Sequence, residues 1–272
     1  LAAESHVDRS IDKPIEFVKN NINATLNLLE ASKIHYSNLT EDRKKKFVFL
    51  HVSTDEVFGS LGNKGFFNEN SCYYPRSPYS ASKASTDHLV NAWSHTYNLP
   101  IIITNCSNNY GPYQYPEKLI PLCILKALNK ESIPIYGDGM NIRDWLFVDD
   151  HVEALLKISK FGKKGNSYCI GGNNEKTNIE VVKKICGFLD ELKPTSDSYL
   201  SLIKFVKDRP GHDKRYAINS EKLQKELNWS PKFSFDEGLE LTVRWYLENI
   251  EWCKYMLQKS EYKGERLGLD YI

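Results

Sequence analysis

Tyr79 and Lys83 stand four residues apart in the run Tyr-Ser-Ala-Ser-Lys. On a helix that spacing stacks the phenol and the ammonium on one face, where the cation favours the phenolate and lets tyrosine act as a base near neutral pH. A lone Tyr-x-x-x-Lys is also a common surface pair, so its surroundings decide its meaning. Upstream, Ser53-Thr54-Asp55-Glu56 follows directly on the strand-like run from Phe47 to Val52. Open α/β sheets hold their ligands beyond the carboxyl ends of their strands, so a hydroxyl and two adjacent carboxyls fall where a ligand sits. Adjacent carboxyls on an extended chain point apart and can take different environments, one protonated as an acid and one ionised as a base. Without Tyr79 and Lys83, the same Asp-Glu pair reads as a solvated turn or helix cap.

Groups of this kind need a scaffold, and the apolar periodicity supplies one. It alternates between helix-length and strand-length segments, the signature of an α/β fold with a parallel sheet covered by helices. Asp12 and Pro14 predict a helix running to about His35, with Ile15, Val18, Ile22, Leu26 and Leu29 along one side. A strand follows over Phe47 to Val52, a helix from about Tyr79 to Tyr97, and a strand from Pro100 to Cys106. Leu119–Leu128 reads as helix, and Ile133–Tyr136 and Trp145–Val148 as short strands. Asp149 is expected to cap a helix to about Lys160, after which the strand-like Tyr168–Ile170 ends in Gly171-Gly172. Asn178 is expected to cap a helix to Leu192, and Ser234-x-x-Glu237 has capping-box spacing for a helix to about Asn249. No Pro/Gly/Ser-rich linker divides the chain, so two lobes must be interleaved rather than strung in series.

Composition narrows the function classes. The 272 residues carry 36 Lys plus Arg against 35 Asp plus Glu, a formal charge of +1 that gives no bulk preference for nucleic acid or anionic lipid. No apolar stretch approaches the ~20 residues needed to cross a bilayer, so a cytoplasmic protein without a membrane partner is expected. Six scattered cysteines with no Cys-x-x-Cys pair fit free thiols in a reducing compartment. His6, His51, His88, His95 and His151 lack ligand-like spacing, and no metal is expected. The run Arg43-Lys44-Lys45-Lys46 reads as a solvated loop. Gly59-x-x-Gly62-x-x-Gly65 has the spacing of a dinucleotide fingerprint, but Phe66-Phe67-Asn68-Glu69-Asn70 follows, so no helix N-terminus is there to receive a pyrophosphate. It reads as a flexible loop beside the site.

Six spaced motifs together resemble the dTDP-glucose 4,6-dehydratase family of extended short-chain dehydrogenase/reductases. They are Leu-Ala-Ala-Glu-Ser-His-Val-Asp-Arg-Ser-Ile (1–11), Ser-Thr-Asp-Glu-Val-Phe-Gly (53–59), Tyr-Ser-Ala-Ser-Lys (79–83), Asn-Cys-Ser-Asn-Asn-Tyr-Gly-Pro (105–112), Glu-Lys-Leu-Ile-Pro (117–121) and Asp-Arg-Pro-Gly-His-Asp (208–213). Phe58 stands where the family usually has Tyr. The resemblance implies a Rossmann-like, doubly wound parallel sheet, incomplete at the N-terminus, with a smaller interleaved α/β substrate-binding lobe. Residues 1–107 and about 137–170 would form the NAD-binding part; about 108–136, 171–212 and 231–272 would form the substrate lobe. It further implies that Tyr79 accepts the proton of the sugar 4-hydroxyl, Lys83 depresses the tyrosine pKa, and Thr54 hydrogen-bonds the reacting oxygen. Glu56 would remove the C5 proton, and Asp55 would protonate the departing C6 hydroxyl. Leu1, Ala2, Ala3, Ser5, Asn20, Tyr79, Lys83 and Asn109 would contact NAD. Ser5, Thr54, Asn108, Lys118, Leu119, Pro134, Ile135, Tyr136, Arg143, Asn178, Asp208, Arg209 and His212 would line the nucleotide-sugar pocket, with Arg143 and Arg209 suited to the diphosphate. Arg143 beside Asp144 also reads as a surface ion pair. By the same resemblance, helices over about 14–35 and 79–97 would form a four-helix bundle across a homodimer axis.

The alternatives are a UDP-hexose 4-epimerase, which would not need Asp55 and Glu56; a GDP-mannose dehydratase, whose sequence after the threonine differs; and a non-catalytic cofactor-sensing scaffold, which has no reason to keep all five groups. An extended reductase should open with a strand, a glycine-rich turn and a helix that cradle the NAD pyrophosphate. The sequence has none of these before Leu1, and at ~30 residues per βαβ unit the missing front is expected to be roughly 60–80 residues.

Overall fold

In the computed structural model, which describes residues 2–259, the longer strands fall on runs rich in β-branched and aromatic residues. In chain order they are β1 (Phe49–Thr54), β2 (Ile101–Cys106), β3 (Asn108–Tyr110), β4 (Ile133–Tyr136), β5 (Ile142–Phe147), β6 (Ser167–Ile170), β7 (Glu175–Thr177) and β8 (Ile203–Val206). The first sheet is all parallel, in the order β1-β2-β6, with Thr54 opposite Cys106 and Cys106 opposite Ile170, so three carboxyl ends finish level. Every residue of β2 is buried, as expected for a central parallel strand covered on both faces. A second sheet runs β3-β5-β7, and β4 pairs with β8.

The helices are α1 (Val7–Asp12), α2 (Pro14–Phe17), α3 (Ala24–Ser37), α4 (Glu41–Lys46), α5 (Pro78–Tyr97), α6 (Leu119–Leu128), α7 (Val148–Phe161), α8 (Asn178–Leu192), α9 (Glu221–Leu227), α10 (Phe235–Glu248) and α11 (Ile250–Lys259). The segment expected as one helix from Pro14 to His35 is three pieces. Pro14 has no N–H with which to continue α1, and a π-helical stretch, Val18–Asn23, separates α2 from α3. The wide turn rotates the register, so Phe17, Asn21 and Leu29 face inward while Ile15 and Val18, expected on the buried stripe, are exposed. The basic run expected as a loop is the last turn of α4, where Lys44 and Lys45 pair with Glu41 and Asp42. Thr177 rather than Asn178 caps α8, in a capping box with Glu180. Asp149 lies in the first turn of α7 and is not its cap. Ser234 and Glu237 form the expected box at the start of α10.

Of four apolar clusters among the described residues, the two largest lie against the first and second sheets. Ile102, Leu146, Ile158, Tyr168, Ile170 and Trp229 pack around the first. Tyr110, Ile124, Trp145, Phe147, Ile185, Phe235 and Val243 pack around the second. Strand β5 pairs with β3 and β7, and it sends Trp145 and Phe147 into the second core and Leu146 into the first, so it serves both. The glycine-rich run after Phe58 leads into no helix, and it is tethered rather than free. Arg215 donates to the carbonyls of Gly65 at 2.9 Å and Gly62 at 3.4 Å while paired with Glu175. Leu1 lies outside the described residues.

Candidate active site

The carboxyl end of β1 and the N-terminus of α5 carry the chemistry. Ser77 caps α5 in a reciprocal box with Ser80, and Pro78 supplies the first helical position, so the helix begins just before Tyr79. Thr54 ends β1 and caps the 3-10 turn Asp55–Phe58. Its hydroxyl accepts from the Glu56 amide at 3.3 Å and donates to Asp55 Oδ1 at 3.3 Å.

That turn sends the two carboxyls to different surroundings. Asp55 is 1 % exposed, and its Oδ2 has no hydrogen-bond partner. Burial first, then Glu56 and Asp144, hold its carboxyl well above the usual range, with Arg143 and Thr54 opposing only in part. Glu56 lines the cleft; burial leaves its pKa raised too, with Arg209, Arg143 and Lys118 opposing in part. Tyr79 is raised well above its ordinary value by burial, then by Glu56 and Cys106, while a hydrogen bond with Thr54 pulls the other way. The expected depression by Lys83 is not the dominant effect. The Lys83 ammonium donates instead to the Val52 carbonyl at 2.9 Å.

Beside Glu56 opens a cleft of about 210 Å³ between the two sheets. It brings together Ser5, Asn108, Lys118, Leu119, Pro134, Ile135, Tyr136, Arg143, Asn178, Arg209 and His212 from the expected set. Asp208 stands behind the wall, its Oδ1 2.6 Å from His212 Nδ1. Arg143 is no surface pair with Asp144. Its guanidinium is buried, stacks 4.3 Å over the Tyr216 ring and donates to the Asp213 carbonyl at 3.0 Å. Asp144 turns away to accept the amides of Gly172 and Asn174, and burial pushes it up to about 6.

Sequence reasoning missed four groups on this cleft: His6, Asp8, Glu117 and Tyr216. Asp8 pairs with Arg209 and accepts from the Tyr136 hydroxyl at 2.9 Å; burial would raise its carboxyl, but the Arg209 charge and hydrogen bond win and hold it low. A signal existed, because Asp8 stands three residues after Ser5 in the same motif, and Tyr216 three after Asp213.

A second, smaller cleft of about 140 Å³ is lined by Ala2, Ala3, Asn21, His51, Val52 and Lys83 among others. Asn20, expected on the cofactor, is exposed and lines neither cleft. Its neighbour Asn21 is buried, exchanges hydrogen bonds with the Glu4 backbone at 2.8 and 3.0 Å, and donates to Ser82 at 2.9 Å. Asn109 donates to the Ser107 carbonyl at 3.0 Å and leaves its buried Oδ1 without a partner.

Comparison with known proteins gives a consistent answer. The sequence pattern of a family described as GDP-mannose 4,6 dehydratase matches residues 1–242. A probable dTDP-glucose 4,6-dehydratase of Sinorhizobium fredii is 57 % identical over 269 residues, 99 % of this chain and 77 % of that protein. Among solved structures, the dTDP-glucose 4,6-dehydratase of Bacillus anthracis in complex with NAD is similar at 47 % identity and a TM-score of 0.80, over 94 % of this chain and 74 % of that one. The Streptomyces venezuelae enzyme of the same name, also with NAD bound, gives 42 % identity and a TM-score of 0.85, with 94 % and 74 % covered.

Proposed function

The chain belongs to the GDP-mannose 4,6 dehydratase family, and from that premise we infer that it converts dTDP-glucose to dTDP-4-keto-6-deoxy-glucose by NAD-dependent dehydration. Within the family, the relatives at 52–57 % identity act, by name, on dTDP-glucose. The observation that carries the reading is the split between Asp55 and Glu56 beside Tyr79: one carboxyl is enclosed with an unpaired oxygen, and the other opens on the cleft toward three cations. A reaction that only moves a hydride has no leaving group to protonate and needs no such pair.

The second cleft fits the nicotinamide-ribose end of NAD: two alanines leave room, and Lys83 offers an ammonium. When bound, NAD accepts the C4 hydride and later returns it to C6. Tyr79 takes the proton of the 4-hydroxyl as its phenolate, the form that the Thr54 hydrogen bond supports against burial, and Thr54 holds the same oxygen. The 4-ketone acidifies the C5 hydrogen, and Glu56 removes it. Asp55 gives its proton to the C6 oxygen, which leaves as water. Reprotonation at C5 as hydride reaches C6 completes the 4-keto-6-deoxy sugar without net redox change. Lys118, Arg143 and Arg209 supply the positive wall for a diphosphate, with Asp8 holding Arg209 and Tyr216 backing Arg143.

A homodimer completes the proposal. Ile15, Val18, Leu28 and Ile34 are exposed on the segments α2, Val18–Asn23 and α3 beside α5, an apolar face suited to a second copy. Six unpaired thiols, five of them buried, support a reducing, cytoplasmic setting. Among the described residues, no helix is long and apolar enough to cross a membrane. The reading is tested by incubating the protein with dTDP-glucose, UDP-glucose and GDP-mannose and weighing the products. The expected result is a product lighter by one water from dTDP-glucose alone, with NAD unchanged at the end. A product of unchanged mass, epimerised at C4, overturns it.

A further inference from the structure

We propose that Asp87 is a positioning residue for this reaction: it locks the Tyr79–Lys83 helix to the strand end that carries Thr54, Asp55 and Glu56. The proposal rests on the catalytic reading of those five residues and adds a sixth that touches none of the reacting atoms.

Asp87 lies one turn beyond Lys83 on α5 and is 0 % exposed. A bare carboxylate there would be untenable, yet donors from three other elements converge on it. Its Oδ1 is 3.0 Å from His51 Nε2 on β1. Its Oδ2 accepts from Ser53 Oγ on β1 at 2.8 Å, from the Tyr73 hydroxyl of the preceding loop at 2.9 Å, and from Asn105 Nδ2 on β2 at 3.5 Å. Two of these donors stand directly beside the site. Ser53 precedes Thr54, and the same Asn105 amide also donates to the Thr54 carbonyl at 3.1 Å. From the helix side, Thr86 donates to the Lys83 carbonyl at 2.7 Å and lies 3.1 Å from the same His51 nitrogen. One buried carboxylate thus fixes the register between helix and strand, and with it the relation of Tyr79 and Lys83 to the two carboxyls.

The same placement gives Asp87 an electrostatic duty. Lys83 faces His51 and the Val52 carbonyl on β1, Cys106 on β2, and Tyr79 and Asp87 on its own helix. Burial lowers the pKa of Lys83, and Asp87 is the first charge that opposes it. Burial keeps His51 neutral and pushes the Cys106 thiol up to about 12, so neither supplies a charge near neutral pH. Asp87 therefore helps Lys83 keep its proton in a nearly dry site.

Asp87→Asn keeps the shape and two hydrogen-bonding ends while removing the charge. Its alkaline limb in the pH profile of kcat should move down by about one pH unit, the scale of a lost charge at close range. The Lys83 midpoint, followed by NMR of 13Cε-lysine-labelled protein and assigned with Lys83→Met, should fall by the same amount. An even loss of kcat with limb and midpoint unmoved would reduce Asp87 to a structural part and overturn the proposal. Should the Asn variant not fold, Ser53→Ala with Tyr73→Phe removes two of the donors and keeps the charge. In that variant kcat should fall about fivefold, the worth of roughly 1 kcal/mol, with KM for dTDP-glucose within about twofold. Unchanged kcat there also overturns it. The catalytic reading fails separately, if Tyr79→Phe keeps full activity, because the Lys83 midpoint reports on Asp87 whatever the reaction is.

Discussion

Asp55 and Glu56 share a peptide bond, yet Asp55 is enclosed with an unpaired Oδ2 while Glu56 opens on the cleft toward Arg143, Arg209 and Lys118. The two neutral amide variants should therefore stop the reaction at different points. Asp55→Asn should still let the C5 proton exchange with deuterated solvent while water loss falls by about 10²-fold or more, whereas Glu56→Gln should lose exchange and water loss together. Exchange followed by mass spectrometry checks this, and equal exchange in both variants would refute the division of labour. Three histidines give a second prediction. Burial pushes His6, His151 and His212 down to about 4. Each is neutral when folded and takes up a proton near 6.5 when unfolded, so the stability it carries is full above that value and is lost as pH falls toward 4. Urea unfolding should show the protein weakening between about pH 6.5 and 4, and His151→Leu should remove about 2 kcal/mol of the loss incurred by pH 5. At this scale Asp55, Glu56, Tyr79 and Lys83 stand out as candidates only when the two pairs are taken together, and the role given to Thr54 comes from the family resemblance. Asp8 and Asp87 were not legible, because their meaning comes from Arg209, Ser53, Tyr73 and Asn105, which reach them only after folding.

Elements set the precision with which those residues meet. The start of α5 was legible because Ser77, Pro78 and Ser80 carry their own capping chemistry, and the box at Ser234 was equally plain. The π stretch Val18–Asn23 was not legible, since an ordinary helical period fits the same apolar residues; what selects the wider turn is the pairing of Asn21 with Glu4 and Ser82. The cap of α5 positions Tyr79 directly, so Ser77→Ala should cost about 1 kcal/mol of stability and lower kcat more than it raises KM. Thermal melts and steady-state kinetics check this, and an unchanged kcat would mean that the site does not depend on how the helix begins. Behind the cleft, β5 passes so close to Gly172 that an added Cβ would overlap the Trp145 carbonyl. Gly172→Ala should therefore displace the strand that carries Arg143 and Trp145, visible as a severe loss of folded protein on expression.

At the scale of the whole molecule, the cleft exists because the chain crosses between two sheets several times. Cys106 ends β2 in the first, Asn108 begins β3 in the second, and β5 returns through α7 to β6. The double duty of β5 was not legible, since hydrophobicity alone does not say that Leu146 enters one core while Trp145 and Phe147 enter the other. The same weighing applies to the outer face. A helical segment that buried Ile15 and Val18 within its own chain would need no partner, whereas here the π turn leaves them 68 % and 49 % exposed, with Leu28 at 56 % and Ile34 at 59 % farther along. Four large aliphatic side chains so exposed on neighbouring segments form the kind of patch that monomers rarely keep, and a two-fold axis lets one such patch cover its own copy. Ile15→Glu with Val18→Glu places like charges opposite each other across that axis and should convert a dimer to a monomer in sedimentation equilibrium. Catalytic loss should be smaller than the loss of assembly, because neither residue lines a cleft. A parent protein that sediments as a monomer at tens of micromolar, or a double variant that stays dimeric, would show that the exposed aliphatics serve another surface.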